Sequence, residues 1–303
     1  MTNSIDKIAK TIASSYVAVA LIAILIGATV GPAVLSADVL QNQEEEKYVA
    51  VVTLDETIYA SSADATIDEL QRVRENDSID AVVLEVDSPG GAASASEAQY
   101  MAVKRLAEEK PVVTSVQGMA ASGMYYTILP TESIFVTPAS LVGNVGVRTS
   151  MSSSAGVPTE VTTGPDKLTG GTADETRARV RTLKNAFVGT VLAERGGRLE
   201  LSREEIAHGK IYAGARAVEN GIADQIGDTE TAVREAASKA GLESYQVTER
   251  NPASATGLFV IAGTGSNATV VKRSPFEYQG VETMQYFMLY GTPEHESEVM
   301  KNG

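Results

Sequence analysis

A serine at position 122 stands where the sequence pattern changes from strand to helix. The β-branched apolar run 111–116 predicts a strand, and a helical pattern begins at Ser122, which small residues flank on both sides. A hydroxyl presented in this way can act as the nucleophile in acyl transfer. Taken alone, a serine at a helix start is more often an N-cap.

A Ser-Pro-Gly-Gly turn at 88–91 supplies the second half of a candidate site. It follows the apolar run 81–86, which predicts another strand. If the two strands are adjacent and parallel, their ends bring Ser122 next to free backbone N–H groups of the turn. Such groups can form an oxyanion hole, so the two segments together predict an acyl-transfer site.

The elements around these segments alternate between strand and helix. This alternation predicts an α/β fold with a parallel sheet and helical crossovers. Predicted strands cover 48–54, 81–86, 111–116 and 133–136, and predicted helices cover 65–74, 95–109, 172–194, 214–220 and 229–240. Ser202 and Glu205 have the spacing of a capping box and predict one more helix start. Segments 149–156 and 164–172 are predicted loops, and 251–267 has the composition of a linker.

Composition excludes several function classes. The chain has no cysteine, hence no disulfide framework, thiolate nucleophile or cysteine zinc site. Its two histidines, His208 in a predicted turn and His295 in the polar tail, do not suggest a catalytic triad, and we expect no cofactor or metal. The net charge of −14 would repel nucleic acid. That charge fits either a well-solvated acidic surface or adaptation to high salt.

The N-terminal region predicts a membrane anchor. Residues 11–37 contain no charged residue, and the almost wholly apolar run 16–35 has the length that spans a bilayer. Lys7 and Lys10 precede the run and acidic residues follow it, so the N-terminus should be cytoplasmic and the remainder extracytoplasmic. A cleaved signal peptide is the alternative, but its apolar region would be shorter, and Leu35 is bulky for the −3 position of a site after residue 37.

Five motifs in a fixed order resemble those of the signal peptide peptidase A family of membrane-anchored serine–lysine peptidases. They are SPGG at 88–91, GMAASG at 118–123, GNVGV at 143–147, TTGPDK at 162–167 and GKIYAGARAVENGIADQIG at 209–227. The resemblance covers residues 48–240 and implies a fold similar to those of Clp protease and the crotonases. The chain then divides into five segments. They are a cytoplasmic N-terminus (1–14), a transmembrane anchor (15–37), a linker (38–47), a peptidase domain (48–241) and a C-terminal extension (242–303).

The resemblance also implies roles for individual residues. Ser122 corresponds to the nucleophile and Lys167 to the general base, while Gly91 and Gly123 would offer N–H groups to the oxyanion. Partial burial disfavours a charged ammonium, so a lysine can accept the serine proton and return it to the leaving amine. Lys184 and Lys210 are the competing lysines, one on a predicted helix face and the other in a turn.

Three departures from the family pattern bear on this site. Asn144 replaces the serine that steadies the lysine amine, although its side-chain carbonyl can accept the same hydrogen bond. Met124 replaces a glycine and should narrow or reshape the nearby pocket. The chain between Val147 and Lys167 is shorter than in bacterial relatives, which changes how the lysine approaches Ser122.

The family implies a membrane-tethered endopeptidase that cuts apolar peptides, including cleaved signal peptides, near the membrane. Relatives form rings or domes, so a homo-oligomer is also implied, with serine and lysine in some cases on neighbouring subunits. Two alternatives stay open. One is a crotonase-like protein acting on acyl thioesters, and the other is a catalytically silent assembly protein.

Overall fold

Apolar residues alternate between two faces of a central sheet in the computed structural model of the chain. The structure describes residues 46–149, 171–252, 259–262, 269–272 and 287–290. On the first strand, Ala50 and Val52 belong to one core cluster and Val49 and Val51 to another. Both faces of the sheet are therefore covered, as is typical of a parallel sheet with helical crossovers.

The described secondary structure begins at Tyr48. The strands are β1 (Tyr48–Leu54), β2 (Ile79–Ser88), β3 (Gly90–Ala92), β4 (Val112–Ala121), β5 (Ser133–Val136), β6 (Leu141–Gly143), β7 (Ile211–Ala213), β8 (Gln225–Ile226), β9 (Gln246–Arg250), β10 (Phe259–Ala262), β11 (Thr269–Lys272) and β12 (Phe287–Leu289). The helices are α1 (Ala60–Arg74), α2 (Ala93–Ala107), α3 (Gly123–Ile128), α4 (Ala173–Arg195), α5 (Arg203–Ile206), α6 (Gly214–Glu219) and α7 (Thr229–Lys239).

The main sheet has the strand order β7-β6-β4-β2-β1-β9, and β5 and β8 extend from β4. Strands β1, β2, β4 and β5 run parallel, with α1 and α2 as the crossovers. The predicted mixed α/β architecture is therefore confirmed. The edge strand β9 pairs with β1 and comes from the range 242–303. From Lys47 onward the described residues belong to one compact unit.

Strand β4 is longer than predicted. The sequence predicted its end at Val116, but the strand continues to Ala121 because its second half pairs with β6, Met119 lying opposite Leu141. Strand β2 likewise extends beyond the predicted 81–86, and its Ser88 pairs with Ala120 across a register shift. The carboxyl ends of β2 and β4 thus meet at one edge of the sheet, as predicted.

The predicted helices are confirmed with small changes at their ends. Helix α1 begins five residues before the predicted start at 65, and α2 ends at Ala107 instead of 109. Helix α4 begins after Thr172, whose hydroxyl accepts the Glu175 N–H in a capping box, and Ser202 and Glu205 form the predicted box at α5. Within the described ranges no helix combines the length and hydropathy needed to cross a bilayer. The predicted anchor at 15–37 lies outside those ranges.

Candidate active site

Ser122 lies directly between β4 and α3 in a strained backbone conformation. Its φ of 54° and ψ of −116° are disfavoured for a residue with a Cβ. Its N–H donates to the Gly143 carbonyl (2.8 Å), and its carbonyl accepts from the Tyr126 N–H (3.0 Å), so the strained turn is held from both sides. The Ser122 side chain makes no capping hydrogen bond to α3, which contradicts the N-cap alternative. The residue is 2% exposed.

The Ser-Pro-Gly-Gly turn is fixed by the hydroxyl of Ser88. This hydroxyl donates to the Glu56 carbonyl (2.6 Å) and accepts from the Gly90 N–H (3.2 Å). Gly90 has a φ of 89°, a conformation that favours glycine. Ser88 is therefore a structural residue of the turn.

Ile58 pairs with one edge of the glycine segment and leaves the Gly91 N–H pointing the other way. The Ile58 N–H donates to the Gly90 carbonyl (2.9 Å), and its carbonyl accepts from the Ala92 N–H (2.8 Å). In such a ladder the intervening residue, Gly91, directs its own N–H and carbonyl to the opposite edge. A Cβ at Gly91 would overlap the Ile58 carbonyl, so only glycine fits there.

Strand β12 occupies that opposite edge, antiparallel to β3. Met288 lies opposite Gly91, and the Tyr290 N–H donates to the Pro89 carbonyl (2.9 Å). Hydrogen-bonded pairs alternate along an antiparallel ladder, so the pair two residues away, Met288 with Gly91, is hydrogen bonded as well. The Gly91 N–H therefore faces the Met288 carbonyl.

The Gly123 backbone nitrogen lies in the neighbourhood of the same carbonyl oxygen. A Cβ built on Gly90 would overlap the Met288 oxygen and lie 2.5 Å from the Gly123 nitrogen. The Met288 oxygen and the Gly123 nitrogen therefore border the same small space. A Cβ on Gly123 would overlap Ser96 Oγ and lie 2.8 Å from the Met288 oxygen and 3.1 Å from the Gly91 nitrogen. The two glycines predicted to bind an oxyanion thus lie near one carbonyl oxygen, and Gly123 directly follows Ser122 in the sequence.

Asn144 lies beside the serine turn, in a left-handed conformation with a φ of 57°. Asparagine tolerates this conformation better than most residues. Its Nδ2 donates to the Gly209 carbonyl (2.7 Å), and its backbone N–H donates to the Lys210 carbonyl (2.7 Å). With Nδ2 bound in this way, Oδ1 is the atom that can accept a hydrogen bond from a lysine amine.

The predicted general base, Lys167, lies outside the described residues, and its role stays a prediction. Of its competitors, Lys184 is half-buried on α4 and Lys210 is exposed. Burial lowers the pKa of another lysine, Lys110, whose ammonium donates to the Val73 (2.9 Å) and Asn76 (2.6 Å) carbonyls. Lys110 precedes the amino end of β4, however, whereas Ser122 follows the carboxyl end of that strand. The histidine in the described part, His208, is exposed.

Helix α3 is held in place by aromatic packing. Tyr126 contacts the Tyr100 ring at 4.9 Å and the Phe187 ring at 5.0 Å, which joins α2, α3 and α4. Burial, with a hydrogen bond to Glu194, raises the pKa of Tyr100 to about 12, so its hydroxyl stays protonated and donates to that carboxylate (2.6 Å). These contacts fix the helix that carries the Gly123 N–H.

Met124 lines a cavity of about 290 Å³ next to this helix, and its side chain is buried. The other lining residues are Thr53, Leu54, Asp55, Glu56, Ser62, Ala65, Thr66, Gln99, Asn251 and Pro252. Met124 therefore borders this cavity, and its effect on the substrate pocket stays a prediction.

One part of the arrangement was missed at the sequence level. Strand β12 comes from the range 242–303, for which no role was predicted. The signal available was the apolar run 286–290. Its partner, the glycine segment of β3, cannot be found from spacing because the two are far apart in the chain.

The buried Ser122 lies on a strained turn at one edge of a parallel sheet, near the backbone nitrogens of two glycines, and this arrangement can support acyl transfer. Sequence comparison identifies the family. The chain matches the sequence model of peptidase family S49 over residues 104–243 and that of Clp protease over residues 39–133. It belongs to peptidase family S49, which confirms the resemblance to signal peptide peptidase A, and the Clp-protease-like fold expectation is also supported.

Three curated relatives illustrate the similarity. The chain is 29% identical to the chloroplastic serine protease SPPA of Arabidopsis thaliana over 70% of its own length and 34% of that protein. It is 31% identical to protease 4 of Salmonella typhi over 65% of its own length and 34% of that protein. It is 30% identical to a putative protease of Methanocaldococcus jannaschii over 64% of its own length and 67% of that protein. The chain thus spans about a third of the first two relatives.

Proposed function

We propose that the protein is a serine endopeptidase with Ser122 as its nucleophile and Lys167 as its general base. The observation that carries the proposal is that the Gly91 N–H and the Gly123 nitrogen both lie near one carbonyl oxygen, that of Met288, beside the strained turn at Ser122. A peptide carbonyl in that place is polarised for attack, and the same donors stabilise the oxyanion that forms.

The catalytic cycle follows from this placement. Ser122 Oγ attacks the substrate carbonyl carbon, and Lys167 accepts the hydroxyl proton and delivers it to the leaving amine. Water then hydrolyses the acyl-enzyme. Asn144 Oδ1 orients the lysine amine by accepting one of its hydrogen bonds. Family membership and the name serine protease of the plant relative support this reaction class.

We further propose that the enzyme is tethered to the membrane and cuts apolar peptides close to it. The uncharged run 11–37 would be the anchor, and its flanking charges favour a catalytic domain outside the cytoplasm. The relative from Enterococcus faecium, named a putative signal peptide peptidase, supports apolar peptides as substrates. A homo-oligomer is part of this proposal because the family resemblance implies one.

Labelling with a fluorophosphonate probe tests the assignment of Ser122. The wild-type chain should become covalently labelled and should cleave apolar peptides, whereas Ser122→Ala should do neither and keep its fold by circular dichroism. Ser238→Ala, which alters an exposed serine on α7, is the matched control and should label normally. A folded wild-type protein that never labels would favour the catalytically silent alternative, and thioester hydrolysis without peptide cleavage would favour the crotonase-like one.

A further inference from the structure

Ser88 ends β2, next to the glycine segment that carries one of the two proposed oxyanion donors. Its side chain is fully buried, and its hydroxyl donates to the Glu56 carbonyl (2.6 Å) and accepts the Gly90 N–H (3.2 Å). A hydroxyl that donates one hydrogen bond becomes a better acceptor of another, so the two bonds reinforce each other. The hydroxyl therefore joins the end of β2 both to the chain around Glu56 and to the glycine segment.

These two connections set the direction of the Gly91 N–H. The Gly90 carbonyl accepts the Ile58 N–H (2.9 Å), and it belongs to the same peptide group as the Gly91 N–H. Because this peptide group is planar and trans, its carbonyl and its N–H point in opposite directions. Ile58 thus fixes one side of the peptide group, and Ser88 holds the chain just before Ile58 through the Glu56 carbonyl.

Gly90 and Gly91 have no side chains that could restrict this peptide group, and glycine has the widest choice of backbone conformations. Neither position accepts a stiffer residue. A Cβ on Gly90 would lie 2.7 Å from the Ala121 carbonyl oxygen, and a Cβ on Gly91 would overlap the Ile58 carbonyl. The hydrogen bonds around the segment must therefore hold it in place.

The backbone of Ser88 is also tied to the strand that carries the nucleophile. Ser88 lies opposite Ala120 in the parallel pair of β2 and β4, and Ala120 is followed two residues later by Ser122. The hydroxyl is therefore anchored to a strand pair whose other member leads directly into the Ser122 turn. This anchoring relates the position of the Gly91 N–H to that of the nucleophile.

We propose that Ser88 is a positioning residue, whose hydroxyl holds the Gly90–Gly91 peptide group with its N–H directed at the oxyanion. This role rests on the proposed function and extends it to a residue that touches neither the substrate nor the reacting atoms. The negative charge of the oxyanion develops only in the transition state. A misdirected N–H therefore reduces kcat and leaves KM nearly unchanged, whereas a general loss of the fold does not produce this split.

Steady-state kinetics of Ser88→Ala test this role. We expect kcat to fall about tenfold or more and KM to stay within about twofold of the wild type, since one oxyanion donor contributes about 100-fold or more. Thr114→Val is the matched control. It removes a fully buried hydroxyl that donates to Thr131 (3.0 Å) near the amino end of β4, away from Ser122. It should lose stability in thermal unfolding but keep the wild-type kcat.

A peptide aldehyde gives a readout of the oxyanion itself. Ser122 Oγ bonds to the aldehyde carbon as the serine proton passes to the general base, and the former carbonyl oxygen carries the negative charge at the oxyanion site. Ser88→Ala should weaken inhibition by the aldehyde by the same factor as it lowers kcat/KM. Inhibition by the corresponding peptide alcohol, which forms no oxyanion, should change less than about twofold.

Ser88→Cys keeps the test independent of how the alanine variant folds. It preserves the shape of the side chain but offers a thiol, which is a weak donor and a weak acceptor, so kcat should fall here too. The wild-type kcat in folded Ser88→Ala, or in Ser88→Cys where the alanine variant does not fold, would overturn the role of Ser88. A rise in KM without a loss of kcat, an equal loss of kcat in Thr114→Val, or loss of the fold in both Ser88 variants would overturn it as well.

Fluorophosphonate labelling separates failure of this role from failure of the proposed function. If the wild type cleaves peptides and is labelled at Ser122 while the Ser88 variants behave like it, only the role of Ser88 is wrong. If the wild type is neither labelled nor active, the peptidase assignment itself fails and the role of Ser88 fails with it.

Discussion

Arg195 and Asp224 form a bidentate ion pair, with Nη1 2.7 Å from Oδ2 and Nη2 3.0 Å from Oδ1. Arg195 is fully buried, and its guanidinium also donates to the Gly221 carbonyl (2.9 and 3.2 Å). Asp224 in turn accepts the Ile134 N–H (2.8 Å). The pair therefore joins the end of α4 to β5, and it explains Asp224, one of the two acidic residues within the motif at 209–227.

The Arg195 pair gives the first prediction. Arg195→Met should lower the free energy of unfolding by about 3–5 kcal/mol, because it leaves a carboxylate and a buried carbonyl without their main donor. Arg216→Met removes an exposed pair with Glu219 and should cost under about 1 kcal/mol. Urea denaturation measures both. Equal losses in the two variants would contradict the structural role of the buried pair.

The strain at Ser122 gives the second prediction. Ser122→Gly should be more stable than Ser122→Ala by about 1 kcal/mol, because a φ of 54° with a ψ of −116° is disfavoured only where a Cβ is present. Both variants should lack activity. Thermal unfolding of the pair checks this, and an alanine variant as stable as the glycine variant would show that the turn is not strained.

The packing of Gly123 gives the third prediction. Gly123→Ala should reduce peptide cleavage by about 100-fold or more, since its Cβ would meet both Ser96 Oγ and the Met288 oxygen, which marks the proposed place of the oxyanion. Adding Ser96→Ala removes the clash with Ser96 Oγ but leaves the one with the Met288 oxygen. The double variant should therefore regain stability but not activity, measured by thermal unfolding and by kcat/KM. Recovery of activity in the double variant would mean that Gly123 has only a packing role.

The general base gives the fourth prediction. If Lys167 accepts the Ser122 proton, kcat/KM should rise with pH along one limb, because only the deprotonated amine is a base. Lys167→Ala should reduce turnover by orders of magnitude, and Lys167→Arg should fail too, since a guanidinium stays protonated. Lys184→Ala and Lys210→Ala are the controls. Loss of turnover in either control, with normal turnover in Lys167→Ala, would move the base to that residue.

Membrane topology gives the fifth prediction. Protease added to cells stripped of their outer layers should digest the catalytic domain, because the charges that flank the run 11–37 predict a domain outside the cytoplasm. Immunoblotting against the domain measures this, with a cytoplasmic protein as the control. Digestion that occurs only after the membrane is opened would reverse the orientation.

The sequence by itself determined the α/β class, most element positions and the family. Strand and helix periods are local properties, so the runs around 81–86 and 111–116 identified β2 and β4, and the capping box at Ser202 marked the start of α5. The motif order predicted Ser122, Gly91 and Gly123 as site residues. What these residues do chemically stays a prediction for the experiments above.

The tertiary structure decided which distant segments meet. Strand β4 extends to Ala121 only because β6 pairs with it, and β12 lies on Gly91 although it comes from the other end of the chain. Pairing between distant strands depends on backbone hydrogen bonds, which are open to every residue type and leave no spacing in the sequence. The side-chain pair of the buried Arg195 is also a product of tertiary packing, because Asp224 is recognisable as its partner only once α4 and β5 are packed together.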